Sequence, residues 1–168
     1  MTSDLALNAY LLSVQEQLQD GLKKIEHCLS QLTLEEIWWR PREEMNSIAN
    51  LLLHLSGNLR QWLICGLTEL PDERRRQEEF DERTRQSSEE LLMRLKQTID
   101  EACECINGQD WNALLASRRV QEFDCNGFQT IADSVCHFRG HVQEIIHMTR
   151  FQKGLEYRFD FIPDYQRE

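Results

Sequence analysis

The residues best suited to chemistry in this sequence are histidines. His137 and His141 stand four apart in a segment of helical periodicity, so both rings leave one side of the helix, one turn apart. That spacing lets two imidazoles reach one metal ion. On a wheel of about 100° per residue the pair lies at one edge of the apolar stripe, together with Asp133, Glu144 and Met148. His147 falls on the polar side and is a weaker alternative ligand. His54 is the third candidate, boxed in by leucines in Leu51-Leu52-Leu53-His54-Leu55, with Asn58 and Cys65 on its edge. Partial desolvation there favours the neutral ring a metal needs. Two ligands from one helix and one from another leave a position open for water or substrate, as in catalytic sites. The plainer alternative is three histidines satisfied within a helical core.

Four amphipathic helices would position them. Leu7, Leu11, Val14, Leu18, Leu22, Ile25 and Leu29 form one stripe, with Ser3 or Asp4 as its cap. After a capping box at Thr33–Glu36, Arg40-Pro41 ends a short turn. Asn46 or Ser47 caps a second helix to about Gly66. Ser87 and Glu90 open a third, with Leu92, Leu95, Ile99, Ala102 and Ile106 inward, stopped at Asn107-Gly108. A fourth begins at Thr130, with Asp133 at its third position, and runs to about Phe151. The pattern predicts an all-α four-helix bundle in a single domain, residues 1–168. No strand-like alternation runs longer than a few residues. The connections at 67–86 and 108–129 are long enough for at least one to cross over along the bundle; the second has room for a short helix. Arg74-Arg75-Arg76, followed by Glu78, Glu79, Asp81 and Glu82, reads as a solvated mixed-charge loop. The aromatic tail, Tyr157, Phe159, Phe161 and Ile162, is expected to pack back on the helices.

The 168 residues carry 29 acidic and 19 basic side chains, a formal charge of −10. That balance weighs against a nucleic-acid binder. No apolar run approaches a membrane span, and the start lacks a secretory signal, so no membrane partner and a cytoplasmic location are expected. The six cysteines contain no C-x-x-C and read as reduced thiols, mostly small core residues. Trp38, Trp39 and Trp62 read as packing anchors. Phosphate-loop, dinucleotide and serine-hydrolase signatures are absent.

The segment from Asn46 to Gln61, NSIANLLLHLSGNLRQ, resembles the second helix of the DinB/YfiT-like superfamily of proposed metalloenzymes, most closely a bacterial branch of unknown function. Trp39-Arg40-Pro41 and the later His137-x-x-x-His141-Val142-x-x-Ile145 follow in the matching order. The resemblance covers about residues 5–155. It implies a four-helix bundle with a long crossover between helices 2 and 3. It also implies a divalent metal on His54, His137 and His141, zinc or nickel first, with iron and manganese also compatible with imidazole ligands. Homodimers are common in that superfamily, and its activities include transfer of low-molecular-weight thiols and metal-dependent hydrolysis. Many relatives read His-x-Gly-Gln-Ile after the second ligand, whereas this chain has His141-Val142-Gln143-Glu144-Ile145. Glu144 could orient a ligand, act as a general base, join the metal, or simply face solvent.

The expected function is a metal-dependent thiol transferase or hydrolase acting on a small molecule. His54, His137 and His141 would be the ligands, and Glu144, Asp133 and Asn58 the candidates for proton handling or orientation. The alternative is a non-catalytic helical-bundle dimer, stress-related or an interaction module, with or without a structural metal.

Overall fold

A computed structural model describes residues 2–161 of the chain. It is predominantly helical, with one small antiparallel hairpin. Helix α1 spans Thr2–Leu29, α2 Leu34–Trp38, α3 Ile48–Leu59, α4 Arg76–Asp81, α5 Ser88–Asn107, α6 Trp111–Leu115 and α7 Gly127–Lys153. Strands β1, Ser117–Val120, and β2, Phe123–Asn126, lie between α6 and α7. The long helices bury their predicted stripes against each other: α1 packs on α5 and α7, and α3 packs on the same two. Leu18, Ile25, Leu51, Leu55, Ile99, Phe138 and Val142 are among the side chains fully withdrawn from water at their centre. Truncating one such leucine to alanine costs about 2–5 kcal/mol.

Cap chemistry sets most helix starts. Ser47 and Asn50 form a capping box at α3, and Ser87 and Glu90 another at α5. Past Leu59, α3 widens into π-type turns over Arg60–Cys65, where Gly66 N–H donates to the Gln61 carbonyl. Such widened turns occur frequently at functional sites.

The sequence expectations need correction in several places. Helix α7 opens at Asn126, whose side chain accepts from Gln129 N–H in a capping box. Thr130 lies inside the helix, its hydroxyl donating to the Asn126 carbonyl, so Asp133 is no cap partner. Helix α1 is already formed at Thr2, which places Ser3 and Asp4 within its first turn. In α5 it is Leu91 that is buried, while Leu92 is half-buried. The connection 108–129 holds the expected short helix and also the hairpin, paired Ser117 to Asn126 and Val120 to Phe123. Its turn, Gln121-Glu122, takes φ values of 50° and 69°, and this pair lacks the Asn-Gly or Asp-Gly signal that marks such turns. All six cysteines are free, as expected, but only Cys28 is buried and Cys136 is exposed.

The tail docks mainly through its backbone and Tyr157. His27 Nε2 and Gln31 Nε2 donate to the Arg158 carbonyl, and Tyr157 meets the His27 ring edge-on. Phe159 and Phe161 remain exposed, and Ile162 lies outside the described residues. No helix among the described residues is long and apolar enough to cross a membrane.

Candidate metal centre

His54, at the middle of α3, is 3% exposed. His137 and His141, one turn apart on α7, are half-buried beside it. One ring nitrogen from each lies within 4.8 Å of the other two, and His54 Nε2 stands 2.9 Å from His137 Nε2. The three rings meet edge to face, with centroids 4.5–5.1 Å apart. The i, i+4 spacing on α7 and the leucine-flanked histidine on α3 therefore converge on one point, as the wheels predict.

Carboxylates back two of the rings. His54 Nδ1 is 3.1 Å from Glu79 Oε2, and His141 Nδ1 is 2.7 Å from Glu144 Oε2. A carboxylate on Nδ1 fixes the tautomer that leaves Nε2 as a lone-pair donor, the usual support for a metal-bound histidine. Neutral rings are favoured too. Burial pushes His54 below its ordinary range. Burial, with His141 and His54 adding to it, pushes His137 down to about 4. The hydrogen bond to His141 holds the Glu144 carboxyl below the usual range. The donor set could thus hold a metal ion on His54, His137 and His141.

Glu79 reaches His54 because α4 is pinned to α3. Asn50 Nδ2 donates to the Glu79 and Glu82 carbonyls at 2.8 and 3.2 Å, while Arg40 Nη2 donates to Asn50 Oδ1 at 2.6 Å. Arg74 then grips the Glu79 carboxylate with two parallel bonds, Nε to Oε1 at 2.7 Å and Nη2 to Oε2 at 2.8 Å. Its third arm, Nη1, donates to Gln61 Oε1 at 2.8 Å. Both partners of this ion pair are more than nine-tenths buried. Burial alone would raise the Glu79 carboxyl, but the hydrogen bonds from Arg74 and His54 hold it below the usual range. Gly57 makes room for the pair: a Cβ there would fall on Glu79 Oε1 and within 3.0 Å of Arg74 Nε.

The 67–86 segment is therefore not simply a solvated loop. Arg75 and Glu78 are exposed as expected, but Arg74 and Glu79 form the buried support of His54. Sequence periodicity missed them because Arg74 lies in the loop before α4, and α4, six residues long, carries no apolar stripe. The available signal was the glycine at 57, one turn past His54 on the same edge.

A cavity of about 310 Å³ opens beside His54 and His137, lined also by Asn58, Trp62, Arg76, Asp133 and Ser134. Two expected site residues, Asn58 and Asp133, thus face one space. Glu144 does not line it and instead holds His141. Cys65, placed on the His54 edge by the wheel, turns to a second cavity with Leu70 and Pro71. Trp38 is a buried anchor, donating from Nε1 to the Gln86 carbonyl. Trp39 stacks on Phe151 at the surface. His147 is exposed, and His27 binds the tail.

No curated protein matches this chain. A family model described as a protein of unknown function, DUF1572, matches residues 6–166. With that match running over nearly its whole length, the chain belongs to the DUF1572 family.

Proposed function

We propose that this chain is a divalent-metal-dependent enzyme, a thiol transferase or hydrolase acting on a small molecule. We place it on a single-domain four-helix bundle of the DinB/YfiT-like type, with a long crossover between α3 and α5. The alternating packing of α1 and α3 on α5 and α7 supports that bundle, and the DinB/YfiT-like type rests on the resemblance of the α3 segment.

The observation that carries the reading is the histidine cluster with carboxylates behind two of its members. When bound, the metal would lower the pKa of a coordinated water or thiol and act as a Lewis acid. The protein's own part is positioning. Glu79 and Glu144 orient His54 and His141, Arg74 keeps Glu79 ionised, and Asn58 and Asp133 offer polar groups where a substrate would sit. A cytoplasmic homodimer is the setting that the sequence and the resemblance favour.

A second reading has one observation behind it. The 2.9 Å separation of His54 and His137 also suits a hydrogen bond between the rings, as a non-catalytic helical dimer without a metal would use. Turnover separates the two. Protein incubated with zinc or nickel, and the same protein after chelation, would be assayed for conjugation of an aryl-halide electrophile with a low-molecular-weight thiol. Hydrolysis of a generic ester and amide would be followed in parallel. Metal-dependent turnover in one arm supports the enzyme and chooses its type. Metal bound without turnover in any arm favours the non-catalytic protein.

A further inference from the structure

We propose that Asp72 and Gln61 are positioning residues of the metal centre: acting through Arg74 and Glu79, they hold the His54 proton on Nδ1 and so keep the Nε2 lone pair facing His137. The inference deepens the metal-centre reading and rests on it only for the use made of that lone pair.

Gln61 stands seven residues after His54, two turns along and therefore on the same side of the helix. The helix widens at this residue, since Gly66 N–H takes the Gln61 carbonyl. Gln61 is withdrawn from water, at 8% exposure, and both ends of its amide are engaged. Oε1 accepts from Arg74 Nη1 at 2.8 Å, and Nε2 donates to Asp72 Oδ2 at 2.5 Å. The other Asp72 oxygen, Oδ1, accepts from Arg74 N–H at 3.0 Å. Asp72 is exposed, so it is the surface end of a chain whose middle, Arg74 and Glu79, is buried.

Each group along this chain has a fixed sense. An ionised carboxylate only accepts, and a guanidinium only donates. Asp72 therefore requires the NH2 end of the Gln61 amide, which turns Oε1 to Arg74. With Nη1 engaged there, the guanidinium keeps Nε and Nη2 on Glu79, at 2.7 and 2.8 Å. The Glu79 carboxylate in turn needs a donor at His54 Nδ1, 3.1 Å away. One contact competes: Arg74 Nη2 is also 3.1 Å from that Nδ1. A Gln61 amide turned over would set NH2 against Nη1, donor against donor. The guanidinium would then swing off Glu79, Nη2 would serve Nδ1, and the His54 proton would pass to Nε2. Both states satisfy the 2.9 Å contact between the Nε2 atoms of His54 and His137, with the donor exchanged. The sense set at Asp72 selects between them.

Asp72→Asn reverses that sense. The new side chain has one acceptor oxygen for two donors. Arg74 N–H, fixed in the backbone, retains it, and the NH2 group faces Gln61. Long-range proton–nitrogen NMR of the full chain, metal-free and with labelled histidine, reads the tautomer of each ring, and His54→Gln assigns the His54 signals. Wild type is expected to carry the His54 proton on Nδ1. Asp72→Asn should move most of it to Nε2, and Asp72→Glu, which keeps a group that only accepts, should leave it in place. Zinc affinity, by competition with a chromophoric chelator, should fall about tenfold in Asp72→Asn alone. Residue 72 is exposed, so both variants keep the fold, which circular dichroism checks. A wild-type His54 protonated on Nε2, a tautomer unmoved in Asp72→Asn, or the same shift in Asp72→Glu would overturn the proposal. The tautomer needs no metal, so the two readings fail separately. The expected tautomers in protein that takes up no zinc keep the positioning role and remove the metal centre. Zinc binding with an unmoved tautomer removes the positioning role alone.

Discussion

The Glu79 carboxylate stands between Arg74 and His54, with Oε2 2.8 Å from Arg74 Nη2 and 3.1 Å from His54 Nδ1. Arg74 Nη2 is itself 3.1 Å from the same Nδ1. A guanidinium only donates and an ionised carboxylate only accepts. The proton on His54 therefore decides its role: Nδ1–H pointing at Glu79 leaves Nε2 free for a metal. Nδ1 accepting from Arg74 would instead put the proton on Nε2, facing His137.

Glu79→Gln should disturb this balance in two ways. Metal affinity should fall about 10- to 100-fold, the range seen when the support of a metal-bound histidine is removed. The protein should also be destabilised, because Arg74 keeps its charge in a buried place without its counter-ion. Competition with a chromophoric chelator measures the first effect, and urea denaturation of the chelated protein the second. An unchanged affinity would remove Glu79 from the site.

Gly57→Ala tests the same support by sterics alone. The new methyl group would displace Glu79 and Arg74, at a cost of about 1–3 kcal/mol for overpacking. Because the change adds no charge, a loss of metal affinity beside that of Glu79→Gln would show that the position of the carboxylate matters. Wild-type affinity and stability together would mean that the pair moves aside freely.

At His141 the acceptor can be replaced. Glu144→Gln keeps an amide oxygen for Nδ1–H, so metal affinity should stay within a few-fold of wild type. Glu144→Ala removes the acceptor and should cost about tenfold or more. Equal losses in both would point to the charge rather than the hydrogen bond.

Much of this site can be read from the sequence, and the reason is periodicity. His54, His137 and His141 lie on helices whose apolar stripes are regular, so the wheel fixes their direction. Ser47, Ser87 and Glu90 mark helix starts through side-chain chemistry that acts over three residues. Arg74 and Glu79 depend on a different cause. Their burial comes from Asn50 and Arg40 binding carbonyls about thirty to forty residues away in sequence, and no local pattern encodes such a contact. The hairpin turn at Gln121-Glu122 is hidden for another reason: its residues adopt left-handed backbone without the types that usually do so.

His137 supplies a pH signature. Its pKa is about 4 in the folded chain and near ~6.5 unfolded. Between those values the unfolded state binds more protons, so stability rises with pH. The contribution of this group is full above about pH 6.5 and is lost as pH falls through about 4. Urea denaturation of chelated protein across that window should show a declining midpoint toward acid, and His137→Gln should flatten the decline. An identical slope in the variant would contradict the burial assigned to this ring.

The most direct test of the metal centre is elemental analysis of untagged protein beside His54→Ala, His137→Ala and His141→Ala. About one equivalent of a divalent metal per chain is expected in wild type, and a marked loss in each variant, since three-nitrogen sites depend on every ligand. Wild type that takes up no zinc or nickel, or variants that hold as much metal as wild type, would contradict a centre built on these three histidines.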